Sequence, residues 1–346
     1  LLHDLLAGKR SAFAQNLAIL DAYFDSHVAF KAGQKLRVVA GVDHLYGRVR
    51  QDVRRYEDAA RGLERLLTLE PQRPLVAGRL LHAKMLTADW TALDQLVARV
   101  EAGAAQGQLS TEPFGLQGFC ASPELLGRAA KDYAAHYFPD VSAKHIRHGV
   151  GTGARIRVGY VAGEFRNQAT SVLLTQILEL HDRERFEVIG FDNGWGDGSS
   201  LRRRIEAAVE LVPIRRVSNS DVAQLIRDRG IDILVNLNGY FGLARTHVFA
   251  MRPAPIQVNY LGFPGTLGAP YMDYIIADRC VIPEAEQRHY SEKVVYLPDC
   301  YQPNDRKREI AAEPSRRAQV GLPENAFVFC CMNNVYKILP EQFQQW

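Results

Sequence analysis

Lys337 stands three residues ahead of Pro340 in the run Asn333-Asn334-Val335-Tyr336-Lys337-Ile338-Leu339-Pro340. Proline suits the first turn of a helix, where its missing N–H would be unpaired in any case. The lysine is therefore expected just outside a helix amino end, where free backbone N–H groups and the helix dipole both favour an anion. That corner suits a phosphate with an ammonium beside it. The same spacing also reads as a surface lysine ahead of a helix.

A second set of candidates consists of four loops, Gly163–Thr170, Asp192–Ser200, Asn236–Gly242 and Gly262–Gly268, each rich in Gly, Asn, Asp, Ser or Thr. Such loops offer backbone N–H groups and short polar side chains at close range. Asp192, Asp197 and Asp278 stand at predicted strand ends, as general bases or, in the commoner use, as turn-capping carboxylates. His247 falls in a helical stretch and reads as packing or surface. His145 and His148 have no Cys or acidic companion at ligand spacing, so no metal site is predicted. Neither G-x-G-x-x-G opening the first helix nor G-x-x-x-x-G-K-[ST] occurs, and G-x-S-x-G is absent, which removes support for dinucleotide, P-loop and serine-hydrolase chemistry.

The elements that must carry these loops follow from hydrophobic periodicity. Strands are predicted over Arg155–Phe165, Phe186–Asn193 and Ile231–Tyr240, with two more inside Arg252–Asp278. Helices are predicted over Thr170–Asp182, Ser199–Leu211 and near Asp221–Arg229. Alternating strands and helices imply a parallel sheet covered on both faces, with ligands at the carboxyl ends of its strands. The segment Ala326–Trp346 reads as a fresh start: a buried strand, a polar loop and a helix opened by Pro340.

Residues 1–139 are different, with leucines and alanines at three- and four-residue steps. Gly47, Tyr56, Ala59, Leu63, Leu66 and Pro71 fall where a tetratricopeptide repeat of about 34 residues places its small, aromatic and terminal residues, and Leu81 and Trp90 mark a degenerate second copy. An ordinary helical bundle is the plainer alternative. Residues 140–154, without a sustained period, form a linker. The fold class is thus a helical, repeat-like region followed by an α/β region.

Composition agrees with a folded chain. Of 346 residues, 47% are hydrophobic and 23% charged, and no stretch of transmembrane length is present. A formal charge of +3 is too small for a dedicated nucleic-acid binder. Cys120, Cys280, Cys300, Cys330 and Cys331 have no metal spacing and read as buried thiols in a reducing cytoplasm. Neither nucleic acid nor membrane is expected as a partner.

The blocks "RIRVGYVAGEFRNQATS", "IDILVNLNGYFGLARTHVFAMRPAPIQVNYLGFPGTLGAPYMDYIIAD", "YSEKVVYLPDCYQPND" and "GLPENAFVFCCMNNVYKILPEQFQQW" resemble successive blocks of the bacterial protein O-GlcNAc transferases, a family also similar in placing tetratricopeptide repeats first. The resemblance runs from about Arg155 to Trp346. It implies a two-lobed GT-B glycosyltransferase that transfers N-acetylglucosamine from UDP-GlcNAc to Ser or Thr hydroxyls of proteins, inverting, with no metal and no cofactor beyond the donor substrate. Residues 155–318 then form the first Rossmann-like lobe and 319–346 the start of the second, UDP-binding lobe. Protein acceptors would be met through the helical repeats. The family's second lobe is longer, so the resemblance also implies a fragment, inactive by itself.

Carried over by resemblance, Lys337 contacts the donor diphosphate and Asn334 touches the donor. Gln168 falls where better studied members have a histidine. A neutral amide takes no proton at pH 7, so Gln168 orients a hydroxyl at most and the acceptor's proton goes to water or to the donor phosphate. Pro264, Gly265 and Thr266 would shape the floor of the cleft between lobes. Gln168 also leaves open a non-catalytic helical-repeat scaffold with a degenerate transferase lobe, and another GT-B enzyme is a third reading.

Overall fold

The computed structural model describes residues 55–141 and 154–346. Gly47, His145 and His148, and most of the 140–154 linker, lie outside the described residues. The structure divides into two compact units between Gln72 and Arg73. In the first, helix α1 (Tyr56–Leu69) buries Ala59, Leu63 and Leu66 completely, and it stops before Pro71 as the repeat spacing predicts. These residues stand four and three apart, so they share one helix face.

The second unit opens with α2 (Val76–Leu86) and α3 (Leu93–Ala105), which pack on one another. Leu81 is fully buried in α2, while Trp90 stands in the turn ahead of α3. A short turn of helix, α4 (Pro113–Leu116), leads to α5 (Pro123–Tyr137). Sequence sets the start of α5: Ser122 Oγ accepts the Leu125 N–H at 3.2 Å, Pro123 occupies the first turn and Glu124 meets the positive dipole end. Gly127, Ala129, Ala130 and Ala134 give α5 a narrow buried face that lets other backbone approach closely.

The sheet has seven parallel strands in the order β3-β2-β1-β4-β5-β6-β7. They are β1 (Ile156–Ala162), β2 (Phe186–Asp192), β3 (Glu210–Pro213), β4 (Ile233–Asn236), β5 (Ile256–Asn259), β6 (Tyr274–Ala277) and β7 (Lys293–Tyr296). Between them run α6 (Ala169–Leu180), α7 (Ser200–Ala208), α8 (Asn219–Asp228) and the short α9 (Thr246–Ala250). Strand periodicity divides the core in two. Val158, Tyr160 and Ala162 of β1 pack with Leu174 and Leu178 of α6 and Ile205 of α7. Val161, Phe191 and Leu234 pack with Val222 and Ile226 of α8 and Phe249 of α9. Both faces are thus covered, which is why the strands read as apolar runs.

Several expectations need correction. The predicted helix over Ser199–Leu211 ends at Ala208, because the chain then turns extended and pairs with the free edge of β2 as β3. The buried strand predicted at the start of Ala326–Trp346 does not form. Phe327, Phe329 and Met332 are exposed, and no described residue supplies the neighbouring ladder that an apolar run needs to become a strand. Of the five cysteines only Cys120 is buried; Cys280 and Cys300 sit in loops after β6 and β7, and Cys330 and Cys331 share the exposed segment. The helix expected from Pro340 is present as α10 (Pro340–Gln345).

Candidate active site

With all strands parallel, the four polar loops lie on the rim where the strands have their carboxyl ends. The strand order reverses between β1 and β4, and the loops leaving these two strands are bolted together. Asn238 Oδ1 accepts the Gly163 N–H at 3.0 Å, and Asn238 Nδ2 donates to Glu164 Oε2 at 2.5 Å. Both side chains are buried. Next to them Arg245 donates to Asn193 Oδ1 and to the carbonyls of Ile214 and Val217, tying together the loops after β2, β3 and β4.

The aspartates take the capping role. Asp192 accepts the Gly194 N–H and pairs with Arg202 at 2.6 Å. Asp197 accepts from Asn167 N–H and from Ser199, and these bonds hold its carboxyl down at about 2. Asp278 is lowered by N–H groups of Tyr301, Val281 and Cys280. Asp197 and Asp278, with their lone pairs so occupied and their pKa lowered, are poor general bases. Gln168 is the N-cap of α6, its Oε1 accepting the Thr170 N–H at 2.9 Å. His247 packs edge-on against Phe138, the ring centres 4.6 Å apart, with its pKa lowered by burial and by Arg245.

The loop after β5 is built most tightly. Thr266 Oγ1 donates to Glu292 Oε2 at 2.5 Å and accepts the Gly268 N–H at 3.0 Å, while Glu292 Oε1 accepts the Leu267 N–H at 2.7 Å. Burial raises the pKa of Glu292, against the lowering effect of these hydrogen bonds. Asn259 Nδ2 grips the carbonyls of Phe263 and Gly265 from below. Gly268 has φ +63°, and a Cβ there would stand 2.3 Å from Lys131 N in α5. A Cβ on Gly265 would stand 1.9 Å from Gln117 Nε2, and one on Gly127 would stand 2.5 Å from the His289 carbonyl. Glycine at these places lets α5, the loop and the 3-10 helix Glu284–His289 close around one space.

That space is a cavity of about 440 Å³. Gly265 and Thr266 line it with Gln117, Glu286, His289 and Tyr290; Pro264, half-buried, lies beside them without lining it. His289 Nε2 stands 3.4 Å from Glu286 Oε2 and receives Arg288 Nε at 3.1 Å. Neither this pair nor the buried Glu292 was singled out by sequence reasoning. Charges in a polar segment read as surface, and no local signal marks them otherwise.

Lys337 ends a 3-10 turn, Val335–Lys337, and is exposed, as is Asn334. It lies ahead of α10, whose N-cap is Leu339. Tyr336 fixes the turn: its ring lies 5.1 Å from that of His82 in α2 and 3.6 Å from the place a Cβ on Gly118 would take. Gly118 follows Gln117, which lines the cavity, but neither Gly118, Tyr336 nor Lys337 is among the lining residues. The structure shows no contact of Lys337 or Asn334 with Gln168 or with Pro264, Gly265 and Thr266.

Residues 139–312 match the model of glycosyl transferase family 41, half of the sequence and nearly the whole sheet lobe. The chain belongs to that family. Among curated relatives, a probable UDP-N-acetylglucosamine–peptide N-acetylglucosaminyltransferase SEC from Arabidopsis thaliana is 35% identical over 290 residues, covering 77% of this chain and 30% of the relative. A UDP-N-acetylglucosamine–peptide N-acetylglucosaminyltransferase from Caenorhabditis elegans is 41% identical over 157 residues, covering 45% of this chain and 14% of the relative. The chain therefore spans less than a third of the length of either. The solved structure of a Thermobaculum terrenum O-GlcNAc transferase mutant superposes with a TM-score of 0.67 at 24% identity, over 96% of this chain and 65% of that one. This likeness shows the shared fold, helices followed by a Rossmann-like lobe, as the sequence predicted. No helix among the described residues is long and apolar enough to cross a membrane, and no described group of three or more His, Cys, Asp or Glu is arranged to hold a metal.

Proposed function

We propose that this protein transfers N-acetylglucosamine from UDP-GlcNAc to Ser or Thr hydroxyls of protein acceptors. The observation that carries this reading is the family-41 match across residues 139–312, which includes the cavity-lining loop after β5. In the reaction the acceptor oxygen attacks the anomeric carbon as its bond to the diphosphate breaks, so the configuration inverts and UDP departs with added negative charge. Lys337, just outside the amino end of α10, meets that charge, and Asn334 contacts the donor. Neither a metal nor a cofactor is invoked, because the ammonium and helix end supply the neutralisation. Residues 319–346 act as the opening of a UDP-binding lobe.

Gly265 and Thr266 floor the acceptor side. Gln168, with Oε1 committed to the Thr170 N–H, keeps Nε2 to donate to the acceptor oxygen but accepts no proton. The proton leaves to water or to the departing phosphate. The helical repeats present the protein acceptor, and a reducing cytoplasm suits the four exposed thiols. A scaffold with no turnover is favoured by one observation, the use of Gln168 as a helix cap. Intact-mass analysis of acceptor peptides incubated with UDP-GlcNAc and the full-length gene product, with and without EDTA, decides. Addition of one N-acetylhexosamine, unaffected by EDTA, is expected; UDP binding without any transfer would establish the scaffold.

A further inference from the structure

Trp195 extends from the loop after β2 with 43% of its surface exposed. Arg166, from the loop after β1, holds its guanidinium carbon 4.0 Å from the indole centre, and Arg215, just after β3, holds its own at 5.0 Å. Three adjacent strands thus send one aromatic and two cations to the same point of the carboxyl rim, where sheets of this type bind ligands. Four other arginines of this lobe are paired with carboxylates, Arg202 with Asp192, Arg204 with Asp305, Arg229 with Glu210 and Arg252 with Asp273, while Arg245 is held by Asn193 and two carbonyls. Among the described residues, no carboxylate forms an ion pair with Arg166 or Arg215.

The cluster is also positioned. Arg166 Nη1 donates to the Gly163 carbonyl, and the next residue, Asn167, donates its N–H to Asp197 Oδ2 at 2.8 Å, joining the two loops. Of the two acids of this loop, Asp192 is paired with Arg202, and Asp197 gives its lone pairs to Asn167 and Ser199 rather than to either guanidinium. Two guanidiniums packed on an indole, without a counter-ion, present N–H forks that match a carboxylate or phosphate. None of the three residues lines the cavity.

We propose that Arg166, Trp195 and Arg215 form a recognition site for an anionic side chain, carboxylate or phosphorylated, on the protein acceptor. The inference rests on the transferase reading, since Arg166 is two residues from Gln168 and an acceptor presented there passes the cluster. A peptide is favoured over nucleic acid because the chain carries a formal charge of only +3.

The test is tryptophan fluorescence of the chain titrated with a Ser-containing peptide bearing two glutamates, its glutamine counterpart, a phosphoserine version, inorganic phosphate and a single-stranded DNA oligomer. Binding of the glutamate and phosphoserine peptides is expected to change the emission, to weaken with added salt and to fall about tenfold or more in Arg166→Ala/Arg215→Ala. Trp195→Phe should remove the signal, and Arg203→Ala should leave affinity unchanged. Should the alanine pair lose its far-UV circular dichroism, Arg166→Lys/Arg215→Lys, which keeps charge but not the fork, is expected to weaken binding several-fold. Equal binding of the glutamine peptide, wild-type affinity in the substituted pairs, or tighter binding of DNA or of free phosphate than of the acidic peptides overturns the inference. No donor is present in this titration, so failure of the transferase reading shows instead as absent transfer with peptide binding intact.

Discussion

Replacing Thr266 with valine keeps the shape of the side chain and removes its oxygen. Thr266 Oγ1 donates to Glu292 at 2.5 Å and accepts the Gly268 N–H at 3.0 Å, at a position only 5% exposed. The substitution therefore removes a hydrogen bond to a buried carboxylate and leaves a backbone N–H without its partner, together costing about 3 kcal/mol. For a folding unit of this size that is a fall in melting temperature of roughly 6–12 °C. Thr266→Ser retains the oxygen and loses one methyl, and should cost about 1 kcal/mol. Thermal unfolding of the three proteins, followed by circular dichroism, measures the difference. Transfer activity should fall with Thr266→Val even well below its melting temperature, because the same bonds shape the cavity floor. A valine variant within a degree of wild type, or a serine variant as damaged as the valine one, would refute the view that the hydroxyl holds this loop.

Two further predictions concern the same loop. Burial raises the Glu292 pKa, so the folded state holds this proton more strongly than the unfolded chain, and the residue contributes stability that declines as pH rises from the ordinary carboxylate range through the raised value. Asp278 and Asp305 are lowered and act in the opposite sense, so the informative quantity is the melting temperature of Glu292→Gln minus wild type, which should increase with pH across that window; a flat difference contradicts it. Gly268→Ala, forced to φ +63° with its methyl 2.3 Å from Lys131 N, should destabilise by more than about 1 kcal/mol in chemical denaturation, whereas Gly198→Ala, at φ +69° with nothing within 4 Å, should cost only the backbone strain.

Legibility from sequence followed burial. The central strands β1, β2, β4 and β5 are apolar runs because helices cover both faces, and α6, α7 and α8 carry Gln or Ser caps where their helical period begins. The edge strand β3 is four residues without a buried face and continued the pattern of α7, so only its pairing with β2 defines it. The converse error fell on Ala326–Met332, where composition says strand but no described neighbour offers a ladder. At the site, glycine, proline and threonine after β5 announced a shaped loop. The buried partner that fixes it, Glu292, comes from the far side of a 3-10 helix, and Trp195 acquires its two arginines only through strand order. Such contacts are long-range and leave no spacing to read.

The central chemical claim is that Lys337 neutralises a diphosphate at the start of α10. Calorimetry of the full-length gene product with UDP tests it directly, comparing wild type with Lys337→Ala, an exposed site where truncation should leave the fold intact. Micromolar affinity falling at least about tenfold in the variant, with unchanged circular dichroism, is the predicted result. Equal UDP affinity in the two proteins would contradict it.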